Sequence, residues 1–174
     1  MASIDEFKAF LDGGGARANQ FKVTLTTPTG ISTGLPTVTA SFLIKTAALP
    51  GQTITDIPVN FRGRILYVAG DRSFEPWTTT ILNDTDFALR NGIERWMSGI
   101  NDLETSIGRT NVSQYTADLT VEQLDREENI LKTYVLRNCW PTAVGQIDLN
   151  MDTVSEIETF DVTWRYTSFS ASGV

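Results

Sequence analysis

Apolar and polar residues alternate along most of this 174-residue chain, and the alternation places strands first. Phe21, Val23 and Leu25 alternate with Lys22, Thr24 and Thr26 as a half-buried strand. A loop marked by Pro28, Gly30, Gly34 and Pro36 leads to a second predicted strand over 38–46. Further on, Ala117, Leu119 and Val121 face one way, and Thr116, Asp118, Thr120 and Glu122 face the other. Asp125-Arg126-Glu127-Glu128-Asn129 separates that strand from one over 130–140, which makes a hairpin with an acidic tip. Over 157–169, Phe160, Val162, Trp164 and Tyr166 share a face against Thr159, Asp161, Thr163 and Arg165. Two segments break the period of two. Leu89, Ile93, Trp96, Met97 and Ile100 recur at helical spacing after Asn83-Asp84-Thr85-Asp86, which offers N-caps and first-turn acids. Near the start, Ser3 and Glu6 form a capping box before Ile4, Phe7 and Leu11, a short helix that Gly13 ends. The glycine run that follows makes residues 1–18 a flexible N-terminal segment.

The stretch 45–83, KTAALPGQTITDIPVNFRGRILYVAGDRSFEPWTTTILN, reads as an extended arm, with 46–64 as its reach. Leu49-Pro50-Gly51 presets a turn, because proline fixes φ and glycine accepts φ > 0. A Thr-rich strand carrying Ile54 and Ile57 is expected to stop at Pro58, and Arg62 and Arg64 to share one face of the next strand. Gly70-Asp71 then predicts a turn, and residues 77–82 a further strand. An arm with an open edge invites a partner.

Seven or eight strands, one main helix and 24 threonines predict a mainly β fold. The architecture expected is an antiparallel β-sandwich or partly closed barrel with one flanking α-helix, in a single domain over 1–174. No apolar run approaches the ~20 residues that span a bilayer, so no membrane insertion is expected. The acidic N-terminus does not read as a secretory signal. Cys139 stands alone, which suits a reducing compartment and a packing role.

Charge and chemistry narrow the function further. The chain has no histidine, which removes the commonest general base and metal ligand, so it is not read as an enzyme and no cofactor or metal is expected. Asp71-Arg72 beside Glu75 is read as a turn and an ion-paired strand rather than an acid/base site. Asp118 and Glu122 stand about 13 Å apart on one strand face, too far for a glycosidase pair or a single metal ion. Gly13-Gly14-Gly15 lacks the spacing of a nucleotide loop. Of the net charge of −7, nearly all is C-terminal: residues 115–174 hold 10 acids and 4 bases. That balance argues against gripping nucleic acid. Arg62 and Arg64 are read as pairing with carboxylates of the same or a neighbouring subunit ahead of a phosphate contact.

The wording of the arm resembles the tail tube proteins of contractile-tailed (myovirus-type) bacteriophages. The matching residues are Ala48-Leu49-Pro50-Gly51, Ile57-Pro58-Val59 with Phe61-Arg62-Gly63-Arg64, and Val68-Ala69-Gly70-Asp71-Arg72 with Phe74 and Trp77, followed by Asn83-Asp84. A second block matches in order: Trp140-Pro141-Thr142, Val144-Gly145, Ile147-Asp148-Leu149 and the run from Glu156 to Thr163. The resemblance implies a structural virion protein, assembled in the host cytoplasm, whose hexameric rings stack into the inner tube of a contractile tail. Sheets of the subunits would join into a continuous inner barrel. The implied partners are the tail sheath protein, baseplate and tail terminator proteins, a tape-measure protein and DNA in transit to the host cell. It also implies that the arm, with Leu49, Pro50, Gly51, Ile54, Ile57, Arg62 and Arg64, reaches the next ring. Thr116, Asp118, Thr120 and Glu122 would face the lumen as an acidic wall along which DNA slides. The same fold serves phage-derived contractile injection systems, of bacteriocin or secretion type, that carry protein effectors, and that alternative stays open.

Overall fold

The computed structural model describes residues 15–173 together with Ile4 and Phe7. The expected N-terminal helix, and most of the flexible segment over 1–18, lie outside the described residues. In chain order the elements are β1 (Phe21–Thr24), α1 (Thr37–Leu43), β2 (Ile44–Ala47), β3 (Thr53–Phe61), β4 (Arg64–Ser73) and β5 (Trp77–Leu82). There follow α2 (Ala88–Ile100), α3 (Val112–Tyr115), β6 (Ala117–Leu124), β7 (Ile130–Val144), β8 (Thr159–Arg165) and β9 (Ser168–Gly173). The fold is mainly β, and its strand pairs are antiparallel.

Strand alternation builds one core from two half-sheets. The main sheet runs β1-β6-β7-β8-β5-β2, with β9 also on β7. The 15 residues of β7 make this possible: its first part carries β6 and β9, and its last residues carry β8. In the first half Val23 lies across from Val121, and Leu119 across from Leu136. In the second, Trp77 lies across from Trp164, Thr79 from Val162 and Ile81 from Phe160. All ten side chains are buried and belong to a single cluster or its polar inclusions. The face expected of Phe160, Val162, Trp164 and Tyr166 is inside, although its strand is interrupted at Tyr166-Thr167 and continues as β9.

Helix α2 closes this core. Leu89, Ile93 and Trp96 are buried along one stripe, and the Trp96 ring meets Trp164 edge-on, 5.6 Å between centroids. On another side of the helix, glycine admits the loop over 28–36: a Cβ on Gly92 would stand 2.7 Å from Leu35 Cδ1. Each of the three buried indoles has a partner for its N–H. Trp77 Nε1 donates to the Ala48 carbonyl at 2.6 Å, Trp96 Nε1 to Tyr115 O at 2.7 Å and Trp164 Nε1 to Thr79 Oγ1 at 3.0 Å. Cys139 is fully buried, and that burial pushes its thiol up to about 12, so it packs and does not react.

Two local expectations are corrected. Residues 37–43 form a helix, not a strand, and only Ile44–Ala47 is extended. Pro36, at φ −78°, stands at the N-cap, and the following turn buries Ala40 completely. The β-branched run Thr37-Val38-Thr39 suggested a strand, but tertiary packing overrides that preference. Helix α1 lies against the edge strand β1 and reaches β2, so a helix covers the seam between the two sheet edges. The other correction concerns the start of α2. Its N-cap is Phe87, at φ 52°, with no side-chain cap; none of residues 83–86 fills that role. The Phe87 N–H instead donates to Asp84 O at 2.9 Å, closing a turn before the helix.

Replacing Thr79 by Val keeps shape but strands the Trp164 indole N–H in the core. We expect Thr79→Val to cost about 1–3 kcal/mol in denaturant unfolding, and Thr78→Val, on the outward face, to change stability by under about 0.5 kcal/mol. Equal effects of the two would show that this hydrogen bond carries no stability.

Candidate assembly interface

Strands β3 and β4 pair only with each other, and every residue of both except Gly70 is exposed. They form a two-stranded ribbon standing off the core. Its turn is Arg62-Gly63, at φ 47° and 80°, closed by the Phe61–Arg64 pair. Two successive positive φ values are those of a type I′ turn, whose twist suits a hairpin. From that closing pair, hydrogen-bonded and non-hydrogen-bonded pairs alternate, so Pro58, across from Tyr67, falls at a non-hydrogen-bonded position. Its missing N–H is one that would have pointed out from the open edge, and the strand runs straight through it.

Three expectations therefore change. Pro58 does not end its strand; Arg62 sits in the turn while Arg64 opens β4; and Gly70-Asp71 lies within β4. The glycine at 70 has another use. A Cβ there would stand 2.8 Å from Thr55 Oγ1, across the irregularity in register between Ile54 and Asp56.

The register sorts the ribbon's side chains into two faces. Ile57, Val59 and Phe61 share one face with Val68, Leu66 and Arg64. This face is almost wholly apolar and in water, with Phe61 67 % and Leu66 62 % exposed. Arg62 lies over the Phe61 ring, 5.3 Å from its centroid. Leu49, Pro50 and Gly51 are at the other end, at the base. There the Trp77 indole holds Ala48 O, the Tyr166 hydroxyl donates to Gly51 O at 3.5 Å, and Phe74 packs 5.8 Å from the Tyr166 ring. The arm's root is clamped to the core and its tip is free of it.

The second group of candidate residues lies on the outward face of the first half-sheet. Lys22, Glu122, Thr133 and Ser172 form one cross-strand row, and Thr24, Thr120, Val135 and Ser170 the next. Thr116 is not part of it. It precedes β6, and its hydroxyl donates to Val112 O at 3.0 Å, at the end of α3. Asp118 is occupied locally: it accepts the Asn138 N–H at 3.0 Å and pairs with Arg137, where Asn138, at φ 54°, interrupts the register of β7. Sequence reasoning missed this pairing because the bulge that creates it shows only in the register. The face is thus rich in hydroxyls, and its carboxylates have Lys22 and Arg137 for neighbours.

Burial alone would raise the Asp118 pKa, but the Asn138 N–H and the Arg137 guanidinium outweigh it and hold it below the usual carboxylate value. A depressed folded pKa contributes stability that is complete above the ordinary carboxylate range and lost as pH falls through the folded value. Asp118→Asn should therefore melt below wild type at about pH 7 and converge with it near about pH 2. Parallel melting curves at both pH values would contradict this role.

The fold is similar to that of a chain in the six-fold symmetrised anti-feeding prophage baseplate, with a TM-score of 0.63 at 14 % identity, over 91 % of this chain and 96 % of that one. It is also similar to a chain of the PVC extracellular contractile injection system sheath-tube complex, with a TM-score of 0.62 at 12 % identity, over 100 % of each. The phage tail tube protein family matches residues 16–172, and this chain belongs to that family. It is 30 % identical over 168 residues to the tail tube protein of Serratia phage KSP90, covering 95 % of both. It is 33 % identical over 160 residues to tail tube protein gp19 of Enterobacteria phage T4, covering 91 % of this chain and 93 % of that one.

Proposed function

We propose that six copies of this chain close into a ring and that rings stack into the inner tube of a contractile phage tail, through which the genome passes. The work is structural, not catalytic. The exposed apolar ribbon carries this reading: a folded domain leaves such a surface in water only where another chain covers it. The sheath protein would surround the tube, baseplate and terminator proteins would bound it, and a tape-measure protein would occupy it during assembly. Phage relatives at 30 % and 33 % identity favour DNA as cargo over protein effectors, which the more distant injection-system chains, similar in fold alone, do not.

Within the ring, the hydroxyl-rich face with Thr120 and Glu122 is the lumen wall of this proposal, and Asp118 braces it. Such a wall offers phosphates no concentrated positive charge to adhere to, so DNA meets little resistance in transit. Changing Thr120 and Glu122 to Lys should leave tubes assembled and slow genome release in ejection assays. Unchanged ejection kinetics, or a tube structure with both side chains facing the sheath, would remove this assignment.

The ribbon itself is tested by Val59→Asp with Leu66→Asp. Neither residue touches the core, so we expect unfolding free energy to stay within about 0.5 kcal/mol per substitution. Tubes should disappear from negative-stain micrographs. A large loss of stability with tubes intact would reverse the argument.

A further inference from the structure

Resting on the tube reading, we infer that the ribbon tip of one copy seats on the acidic loop over 145–158 of the next copy along the axis. The strand pairing of β5 with β8 places the two surfaces at opposite ends of one ladder. Both ribbon stems leave at the end where Trp77 faces Trp164: β2 finishes with Ala47 across from Thr79, and β5 begins at Trp77. The loop leaves at the other end, where Leu82 faces Thr159, and it is tied there by Asn83 N donating to Glu158 O at 2.8 Å. Two different surfaces at opposite ends of one body make a head-to-tail contact, which repeats without closing on itself and builds a stack.

Chemistry matches the two surfaces. The loop holds Asp148, Asp152, Glu156 and Glu158 and no basic residue, whereas the ribbon tip holds Arg62 and Arg64 and no acid. Among the described residues, none of these six charges takes part in an ion pair. Apolar side chains accompany the charges on both sides. Leu149, Met151, Val154 and Ile157 are exposed on the loop, as are Val59, Phe61 and Leu66 on the ribbon. The loop also encloses a groove of about 530 Å³, lined by Ile147, Leu149, Met151 and Ile157 among others. At about 3.3 Å per residue, the nine residues of β3 carry the tip roughly 30 Å from the base, far enough to meet a neighbouring molecule rather than its own.

The test uses two variants of the full chain: Arg62→Glu with Arg64→Glu, defective in the tip, and Asp152→Arg with Glu156→Arg, defective in the loop. Because all four side chains are exposed, both should melt like wild type. By sedimentation velocity, each alone should lose wild-type association. An equimolar mixture should regain association by alternation, since the intact tip of one variant meets the intact loop of the other and the reversed tip meets the reversed loop. A chain carrying all four substitutions should regain association, and wild-type association should weaken with added salt. If the loop variant associates as wild type does, or if the mixture stays unassociated, this landing site is overturned while the tube reading stands. A wild-type chain that never associates, at any concentration or on a baseplate seed, overturns both.

Discussion

The ladder of β5 on β8 carries the constraint from which the other features follow. On its inner side Trp77 lies across from Trp164, whose indole reaches the buried Thr79 hydroxyl and whose ring receives Trp96 from α2. At its two ends the chain departs into the ribbon and the loop over 145–158, whose exposed apolar side chains lie outside the core. Because the inner face of the ladder is packed into the core, the direction and separation of those surfaces are set by core packing rather than by loop conformation. A tube needs this, since an angular error in one subunit is repeated in every ring.

Folding and the proposed assembly contact are thus separated in the molecule. The core draws on both half-sheets, α2 and the loop over 28–36, whereas the ribbon contributes no residue to it. Anchoring is confined to the base, through Trp77, Tyr166 and Phe74. The subunit's own folding leaves the ribbon's apolar area unburied, and that is the area the proposed stacking would draw on.

Much of this was legible in the sequence where a single short-range rule governs. Strand parity placed Phe160, Val162, Trp164 and Tyr166 inside, and helical spacing placed Leu89, Ile93 and Trp96 there. The wording of the arm gave the family. What was not legible depends on long-range pairing or on competing local signals. Arg62-Gly63 is not among the turn dipeptides that announce a hairpin, so Gly70-Asp71 took its place, and the ribbon's apolar face could not be assembled without the register. Thr37-Val38-Thr39 carries strand propensity that the burial of Ala40 overrules. The acidic wall expected of Asp118 and Glu122 was read from one strand alone, and Arg137 and Lys22 arrive from its neighbours.

Pro58 has a consequence for how the protein survives before assembly. A long apolar hairpin with free edges is the ordinary seed of fibrous aggregation, because each edge offers a template of amide and carbonyl groups to the next strand. With no N–H at Pro58, the outer edge of β3 breaks that template in mid-strand, at the cost of no bond to β4. Edge-to-edge growth through β3 is thereby interrupted in mid-strand, while the ribbon's apolar side chains stay exposed for contacts of their own.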